Sequence, residues 1–415
     1  MQPADEKTNP LAGLDIFTEF DKDAGSSFGD PHPVYDEIRA RGPVHRGDLL
    51  TEVFGLASSN ATQWEGQPFT VVGHAEVMAC LRDSQHFSNT AYSRTVGKTH
   101  GTTILGLDAP QHTSQRRAIQ KAFTRKAMES WRGDFVVPEA RRRLDEIAER
   151  GRTEFVKDFA LVYPASVLHH IIGLPDEMFE QFNQLAIGLL LYRSNPELAL
   201  RCSAILGRMI AEAIADARAD PRDDFLTWLC QATTTDGERL DDETLISFVR
   251  ILLPAGAETT SRTLGTLFLH LTADPERYAQ VRADRDLIPV ALDEALRIES
   301  PTQYVYRLCV EDTVLGGVPI PAGSPVAVCL SAANRDPAVF ADPHTFRLDR
   351  KRGQVAFGHG AHVCIGMHLA LLEAGVALDA ALDRLPDLRR DPAAEPPEIA
   401  GIAFRSPARL DLVCG

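Results

Sequence analysis

The chain lacks three kinds of segment that would each have pointed to a class of protein. No apolar run reaches the roughly 18 residues that a membrane-spanning helix needs. Met1 to Pro10 has neither the basic start nor the apolar core of a secretory leader. No CxxC pair occurs, and the seven cysteines (80, 202, 230, 309, 329, 364 and 414) are odd in number and scattered. That excludes a disulfide framework and fits a reducing, cytoplasmic setting. Basic charge is also short. Lys and Arg total 43 against 58 Asp and Glu, a net charge of −15 over 415 residues, so a nucleic-acid partner is not expected. No membrane anchor is expected either.

What is present is ordinary globular usage, with 44% hydrophobic and 24% charged residues. No repeat, low-complexity run or Gly/Ser linker divides the chain. Residues 1–30 read as a loose arm and 31–415 as one domain, mainly helical with small sheets. Helical patterns begin at Pro33 to Arg41 and Ala75 to Arg82, and they dominate from Ser114 to Leu271. Phe69 to Val72 reads as a strand. Beyond Pro301 the elements turn short and β-like, at Val314 to Ile320 and Pro325 to Leu330. Residues 386–397 read as loop. The stretch 51–66 reads as a long surface loop. Its Asn60-Ala61-Thr62 matches a glycosylation acceptor by chance, since no secretory signal accompanies it.

One long helix is expected from Asp241 to Thr272. Asp241 suits the N-cap, Asp242 and Glu243 suit the first turn, and Leu240 with Leu245 suits a hydrophobic staple. Pro254-Ala255-Gly256-Ala257-Glu258-Thr259-Thr260 interrupts its apolar pattern, and a local kink is the expected result. Thr259 can bond back to the carbonyl of Ala255 or Gly256. The segment reads either as a bent core helix with satisfied polar groups or as an acid–alcohol pair beside a small-residue notch.

Phe357 to Gly366 precedes a second helical run, Met367 to Leu382. Its three glycines mark a close backbone approach. Cys364 stands at the start of the following helix, where N–H groups and the helix dipole favour a thiolate. Such a thiolate is a plausible axial ligand for haem iron. Two other readings stand beside it: an inert buried thiol, and a zinc cluster of His359, His362, Cys364 and His368.

This segment resembles the haem-binding signature of the cytochrome P-450 superfamily, FxxGxxxCxG, at Phe357, Gly360, Cys364 and Gly366. Four further motifs follow the family's order. Asp108 to Thr113 with Arg116-Arg117 resembles the bacterial C-helix. Ala255 to Thr259 resembles the oxygen-activating motif. Glu294 to Arg297 matches ExxR. Ala333 to Pro337, Phe340 to Pro343 and Phe346 to Arg350 resemble the meander. The resemblance spans residue 30 to the end and makes the zinc reading remote. Arg347, where relatives often have Asp, and Ala109, where they often have Pro, are departures outside the chemistry.

The resemblance implies a cytochrome P-450 fold with the haem between the long central helix and the cysteine-loop helix. Cys364 is implied as the ligand to haem b. His112, Arg116, Arg307 and His362 are implied to hold its propionates. Glu294, Arg297 and Arg350 are implied as a structural triad. Glu258 and Thr259 would deliver protons to dioxygen, with Gly256 leaving room for it. Peroxide-using relatives commonly lack that pair, so dioxygen with electrons from a reductant is expected. About fifty residues follow Cys364, so the donor is expected to be a separate ferredoxin with its reductase. The basic run Arg116, Arg117, Lys121, Arg125, Lys126 would steer it. The substrate is expected to be a mid-sized hydrophobic molecule, hydroxylated in a pocket including Tyr92, Leu253, Ala257, Tyr304, Val305 and Phe404. A monomer is expected. A haem-thiolate protein that binds ligand without turnover is the rival of another class, and the intact Glu258–Thr259 pair argues against it.

Overall fold

The computed structural model describes residues 10–11, 13–25, 28–56 and 64–415. Its longest element is the central helix, Asp242–Thr272. Asp241 caps it, accepting the Thr244 N–H at 2.7 Å. Leu240 and Leu245 are both buried across that cap. The helix runs unbroken past Pro254. Two hydroxyls bond back along this stretch, Thr259 Oγ1 to the Ala255 carbonyl at 2.7 Å and Thr263 Oγ1 to the Thr259 carbonyl at 2.9 Å. Leu264, Leu267, Phe268 and Leu271 are fully buried. Their spacing extends round most of the helix, so it packs against neighbours on several sides. Those neighbours include Val162–Ile172, Pro196–Ala219, Ile288–Ile298 and the cysteine helix, Met367–Arg384.

The main sheet lies outside this helical body. Its strand order is Val44–Arg46, Phe69–Val71, Pro325–Val328, Val305–Cys309, Phe87–Ser88. Only the pair Phe69–Val71 with Pro325–Val328 is parallel. Phe69, Val71, Val326 and Val328 are buried there. A hairpin joins Thr313–Leu315 to Val318–Ile320. Its turn residues Gly316 and Gly317 have φ of 56° and 79°, which a two-residue turn of this hand requires.

Three expectations need correction. The arm expected over residues 1–30 holds a helix, Ile16–Asp23, capped by Asp15. Ile16 and Phe20, four apart on one face, are buried. That spacing was present in the sequence, and one apolar face is enough to dock a short helix. The loop expected over 51–66 begins inside a turn of π-helix, Leu49–Val53, held by Asp48. The Asn60-Ala61-Thr62 match lies outside the described residues. Within 386–397, Arg389–Arg390 forms an edge strand on Asp411–Val413, which also pairs with Arg152–Glu154.

Candidate active site

The loop before the cysteine helix is shaped by glycine. Gly360 has φ of 73°, and a Cβ there would lie 2.3 Å from the Leu81 carbonyl oxygen. The loop therefore meets the helix His74–Arg82 at a distance that admits no side chain. Cys364 N–H donates to the Phe357 carbonyl at 2.9 Å and closes the turn. Phe357 itself is half-buried. Five of the other cysteines are buried and Cys414 is half-buried, whereas Cys364 is exposed. The protein packed around its sulfur still pushes the thiol up by desolvation. The Gly366 N–H, Arg116 and the Met367 N–H pull it the other way.

Four basic side chains converge beside this loop. The rings of His112 and His362 are 3.9 Å apart. Arg116 Nη2 donates to the Val363 carbonyl at 2.7 Å, and Arg307 Nη1 to the Tyr306 carbonyl at 2.8 Å. Burial, then His112, Arg307 and Arg116, push the His362 imidazole down to about 3. His112 is likewise lowered, by burial and by Arg116. Its Nε2 is buried with no hydrogen-bond partner. Among the described residues neither Arg116 nor Arg307 makes an ion pair with a carboxylate, although Arg307 shares a hydrogen bond with the Tyr92 hydroxyl. Arg116 is half-buried and Arg307 is buried, and cations left this way call for an anion. A Cβ on Gly366 would meet nothing within 4 Å, so open space lies over the turn that carries the thiol. A flat group with an iron for the sulfur and carboxylates for the four bases fits these residues. Among the described residues no cluster of His, Cys, Asp or Glu suited to a metal ion forms, so His359, His362, Cys364 and His368 do not assemble as a zinc site.

On the central helix, Ala255 is exposed, Gly256 and Thr259 are half-buried, and Glu258 is buried. The notch expected at Gly256 is filled. A Cβ there would lie 2.6 Å from Leu168 Cδ1, so the missing side chain admits the helix Val162–Ile172 rather than a ligand. Glu258 does not stand free. Arg262 Nε donates to its Oε1 at 2.5 Å. The sequence reading missed this partner, although its spacing of four along a helix is a known pairing signal.

Glu294, Arg297 and Arg350 come together. Arg297 binds Glu294 through two N–H groups, at 2.7 and 2.8 Å. Arg350 Nε reaches Glu294 Oε2 at 3.1 Å. The Arg347 N–H donates to Glu294 Oε1 at 2.9 Å, a backbone role open to any residue there except proline. A second buried cluster was not anticipated. Glu299 accepts from Arg335 at 2.6 Å and Arg405 at 2.9 Å, with His32 at 3.4 Å. Burial pushes the Glu299 carboxyl up, yet His32, Arg335 and Arg405 outweigh it and hold it below the usual range. These four residues are distant in sequence, and no local pattern links them.

The expected substrate-pocket residues divide. Leu253, Ala257 and Tyr304 are buried, and Val305 is half-buried on its strand. Tyr92 lines a cavity of about 70 Å³ with Ser93, Val96, Gly97, Gly101, Thr102, Thr103 and Gly106. Its hydroxyl also accepts the Tyr306 N–H at 3.1 Å, next to Arg307. Phe404 packs on Phe20, with ring centres 5.6 Å apart, and against the Arg262 guanidinium. Of the basic run, Arg116 turns inward, while Arg117, Lys121, Arg125 and Lys126 are exposed. Arg125 is already paired with Glu129.

The family model described as Cytochrome P450 matches residues 197–397. Cytochrome P450 107B1 of Saccharopolyspora erythraea is 38% identical over 70% of this chain and 71% of its own length. Cytochrome P450 monooxygenase PikC of Streptomyces venezuelae is 32% identical over 87% of this chain and 85% of its own. Among solved structures, P450BioI in complex with hexadec-9Z-enoic acid ligated acyl carrier protein superposes with a TM-score of 0.80. It is 28% identical and covers 93% of this chain and 98% of its own. CYP109E1 from Bacillus megaterium in complex with testosterone gives 0.81 at 27% identity, covering 93% and 99%. Among the described residues no helix is long and apolar enough to cross a membrane. The ordered motifs, the fold and these likenesses lead to one conclusion: the chain belongs to the cytochrome P450 family, haem monooxygenases that act on small molecules with dioxygen.

Proposed function

We propose that this protein hydroxylates a mid-sized hydrophobic molecule, using haem b ligated by Cys364 and electrons from a separate ferredoxin and its reductase. The observation that carries this reading is the convergence of His112, Arg116, Arg307 and His362, with neither arginine ion-paired to a carboxylate among the described residues, on the loop that presents the Cys364 thiol. When bound there, haem supplies the activation of dioxygen and the insertion of one oxygen atom, the other leaving as water. The chain's own residues do the rest. The Gly366 and Met367 N–H groups hold the sulfur and favour its thiolate. The two arginines and two histidines bind the cofactor's carboxylates and fix its orientation. Thr259 Oγ1 keeps its proton directed at the Ala255 carbonyl. Glu258 is the buried acid that resupplies protons to that stretch of helix. The buried Leu253, Ala257 and Tyr304 keep water from the substrate side.

Two related proteins are known in complex with testosterone and with a hexadec-9Z-enoic acid ligated acyl carrier protein, which supports an apolar substrate class here. Arg117, Lys121 and Lys126, exposed on the helices flanking the haem-facing Arg116, would steer an acidic ferredoxin. We read the working form as a cytoplasmic monomer, and the seven unbridged cysteines fit a reducing compartment. The deciding experiment is the absorption spectrum of the purified protein, ferric and then reduced under carbon monoxide. A strongly red-shifted Soret band that is lost in Cys364→His is expected. A colourless protein, or a band at the position usual for histidine ligation, overturns the assignment of Cys364.

A further inference from the structure

Arg262 is shared between two carboxylates that belong to different parts of the fold. On the central helix it follows Glu258 by one turn, and its Nε donates to Glu258 Oε1 at 2.5 Å. Its Nη2 donates to Asp21 Oδ1 of the helix Ile16–Asp23 at 2.9 Å. Its Nη1 reaches Ser406 Oγ at 3.3 Å. The rings of Phe20 and Phe404 stack on the guanidinium, at 5.5 and 5.9 Å. Glu258 and Arg262 are 3% and 9% exposed, but Asp21 is 37% exposed. A cavity of about 10 Å³, room for one water, is lined by Asp21, Arg262, Phe404 and Ser406. The chain of polar groups therefore runs from the buried acid to solvent through one cation.

We propose that Asp21 and Arg262 are positioning residues for Glu258, so that the N-terminal helix sets how tightly the active-site acid is held and how readily it exchanges a proton with solvent. The inference rests on the reading of Glu258 as the proton-supplying acid. Arginine keeps its charge at any working pH, so it cannot pass the proton on. Its effect is electrostatic and geometric. While it is divided between Asp21 and Glu258, neither carboxylate has the full pair, and Glu258 can turn away at lower cost. A water in the cavity beside Asp21 and Arg262 would give the released carboxyl a route to bulk solvent.

The charged groups facing Glu258 among the described residues are Arg262 on its own helix and Asp21 on the N-terminal helix. Burial raises the Glu258 carboxyl, Arg262 lowers it, and Asp21 raises it. Neutralising Asp21 removes a nearby negative charge and leaves the guanidinium to Glu258 alone. Both changes favour the ionised acid.

The test is an infrared pH titration of the ferric holoprotein, following the protonated-carboxyl band that Glu258→Gln removes. In Asp21→Asn this band should titrate lower by about one pH unit. The solvent deuterium isotope effect on reductant consumption should rise with it. In Arg262→Gln the band should titrate higher than in the wild type. Asp21 is at the surface, so its asparagine variant keeps the decision open if Arg262→Gln fails to fold. A band that titrates at the same pH in wild type and Asp21→Asn overturns the inference. If instead Glu258→Gln leaves the fraction of reductant converted to product unchanged, the reading of Glu258 as proton supplier fails, and the inference with it, even where the band shifts as expected.

Discussion

Both oxygens of Glu294 are held by Arg297, Nη2 to Oε1 at 2.8 Å and Nε to Oε2 at 2.7 Å. The remaining N–H groups of Arg297 reach carbonyls of Asn334, Pro343 and Thr345 at 2.9, 2.7 and 3.2 Å. One guanidinium thus ties the helix Ile288–Ile298 to the segment that leads into the cysteine loop. Arg297 and Glu294 are 1% and 2% exposed. Removing one partner of such a pair leaves the other buried and uncompensated, which costs about 3–5 kcal/mol. Arg297→Gln should lower the unfolding midpoint sharply and yield protein with little haem, read as the ratio of Soret to protein absorbance.

Gly360 and Gly366 should respond differently to the same added methyl. At Gly360 the backbone is left-handed and Leu81 O stands in the way, so Gly360→Ala should destabilise even the haem-free chain. At Gly366 φ is −87° and the space is open. Gly366→Ala should leave the haem-free unfolding midpoint within about 0.5 kcal/mol of the wild type and weaken haem retention instead. Equal behaviour of the two variants in haem transfer to apomyoglobin would count against a flat group lying over this turn.

Gly256→Ala tests the packing role. Its Cβ would push on Leu168 Cδ1, a fully buried side chain. Overpacking of this kind costs about 1–3 kcal/mol. The denaturant midpoint should fall, and Gly256→Ala combined with Leu168→Val should recover part of the loss. If the two changes simply add, the contact with Leu168 is not what demands glycine.

His100 links stability to pH. Burial pushes its imidazole down to about 4, against the opposing bond to the Val96 carbonyl. Unfolding returns it to 6.5, so between these values the unfolded chain binds the extra proton. The stability tied to this group is complete above about 6.5, declines as the pH falls, and levels off below about 4. The change is on the order of 3 kcal/mol. His100→Gln should flatten the midpoint-versus-pH curve over that window, measured by thermal unfolding in buffers of constant ionic strength.

Arg307→Gln should reduce haem content without a matching loss of fold. Arg307 lies on the strand Val305–Cys309, and its Nη1 donates to the adjacent Tyr306 carbonyl at 2.8 Å. Its guanidinium also shares a hydrogen bond with the Tyr92 hydroxyl, and it has no carboxylate ion pair of its own among the described residues. Unchanged haem affinity in this variant would remove Arg307 from the proposed cofactor contacts.

Much of the site is readable in the sequence because its parts are local. Phe357 to Gly366 is one turn, Glu294 and Arg297 lie on one helix face, and Asp241 caps the helix that it precedes. Local signals did less well where a residue's partner lies far along the chain. Gly256 reads as room for a ligand until Leu168 is seen to fill it. Phe404 reads as a pocket residue until it is seen on Phe20 and Arg262. The N-terminal helix was overlooked because its apolar face is only two residues, Ile16 and Phe20, and short helices are decided by docking rather than by propensity.

The sequence by itself determined the motifs that resemble the family, the glycine-shaped turn that carries Cys364 and the two long helices, one holding Glu258 and Thr259 and one following that turn. Each of these rests on backbone geometry or spacing within a few turns. Tertiary structure alone decided which charges share a partner. Glu299 gathers His32, Arg335 and Arg405, and Glu258 meets Asp21 through Arg262. The physical reason is that a buried charge must find its counter-charge wherever the packed fold brings one, and distance along the chain places no limit on that choice.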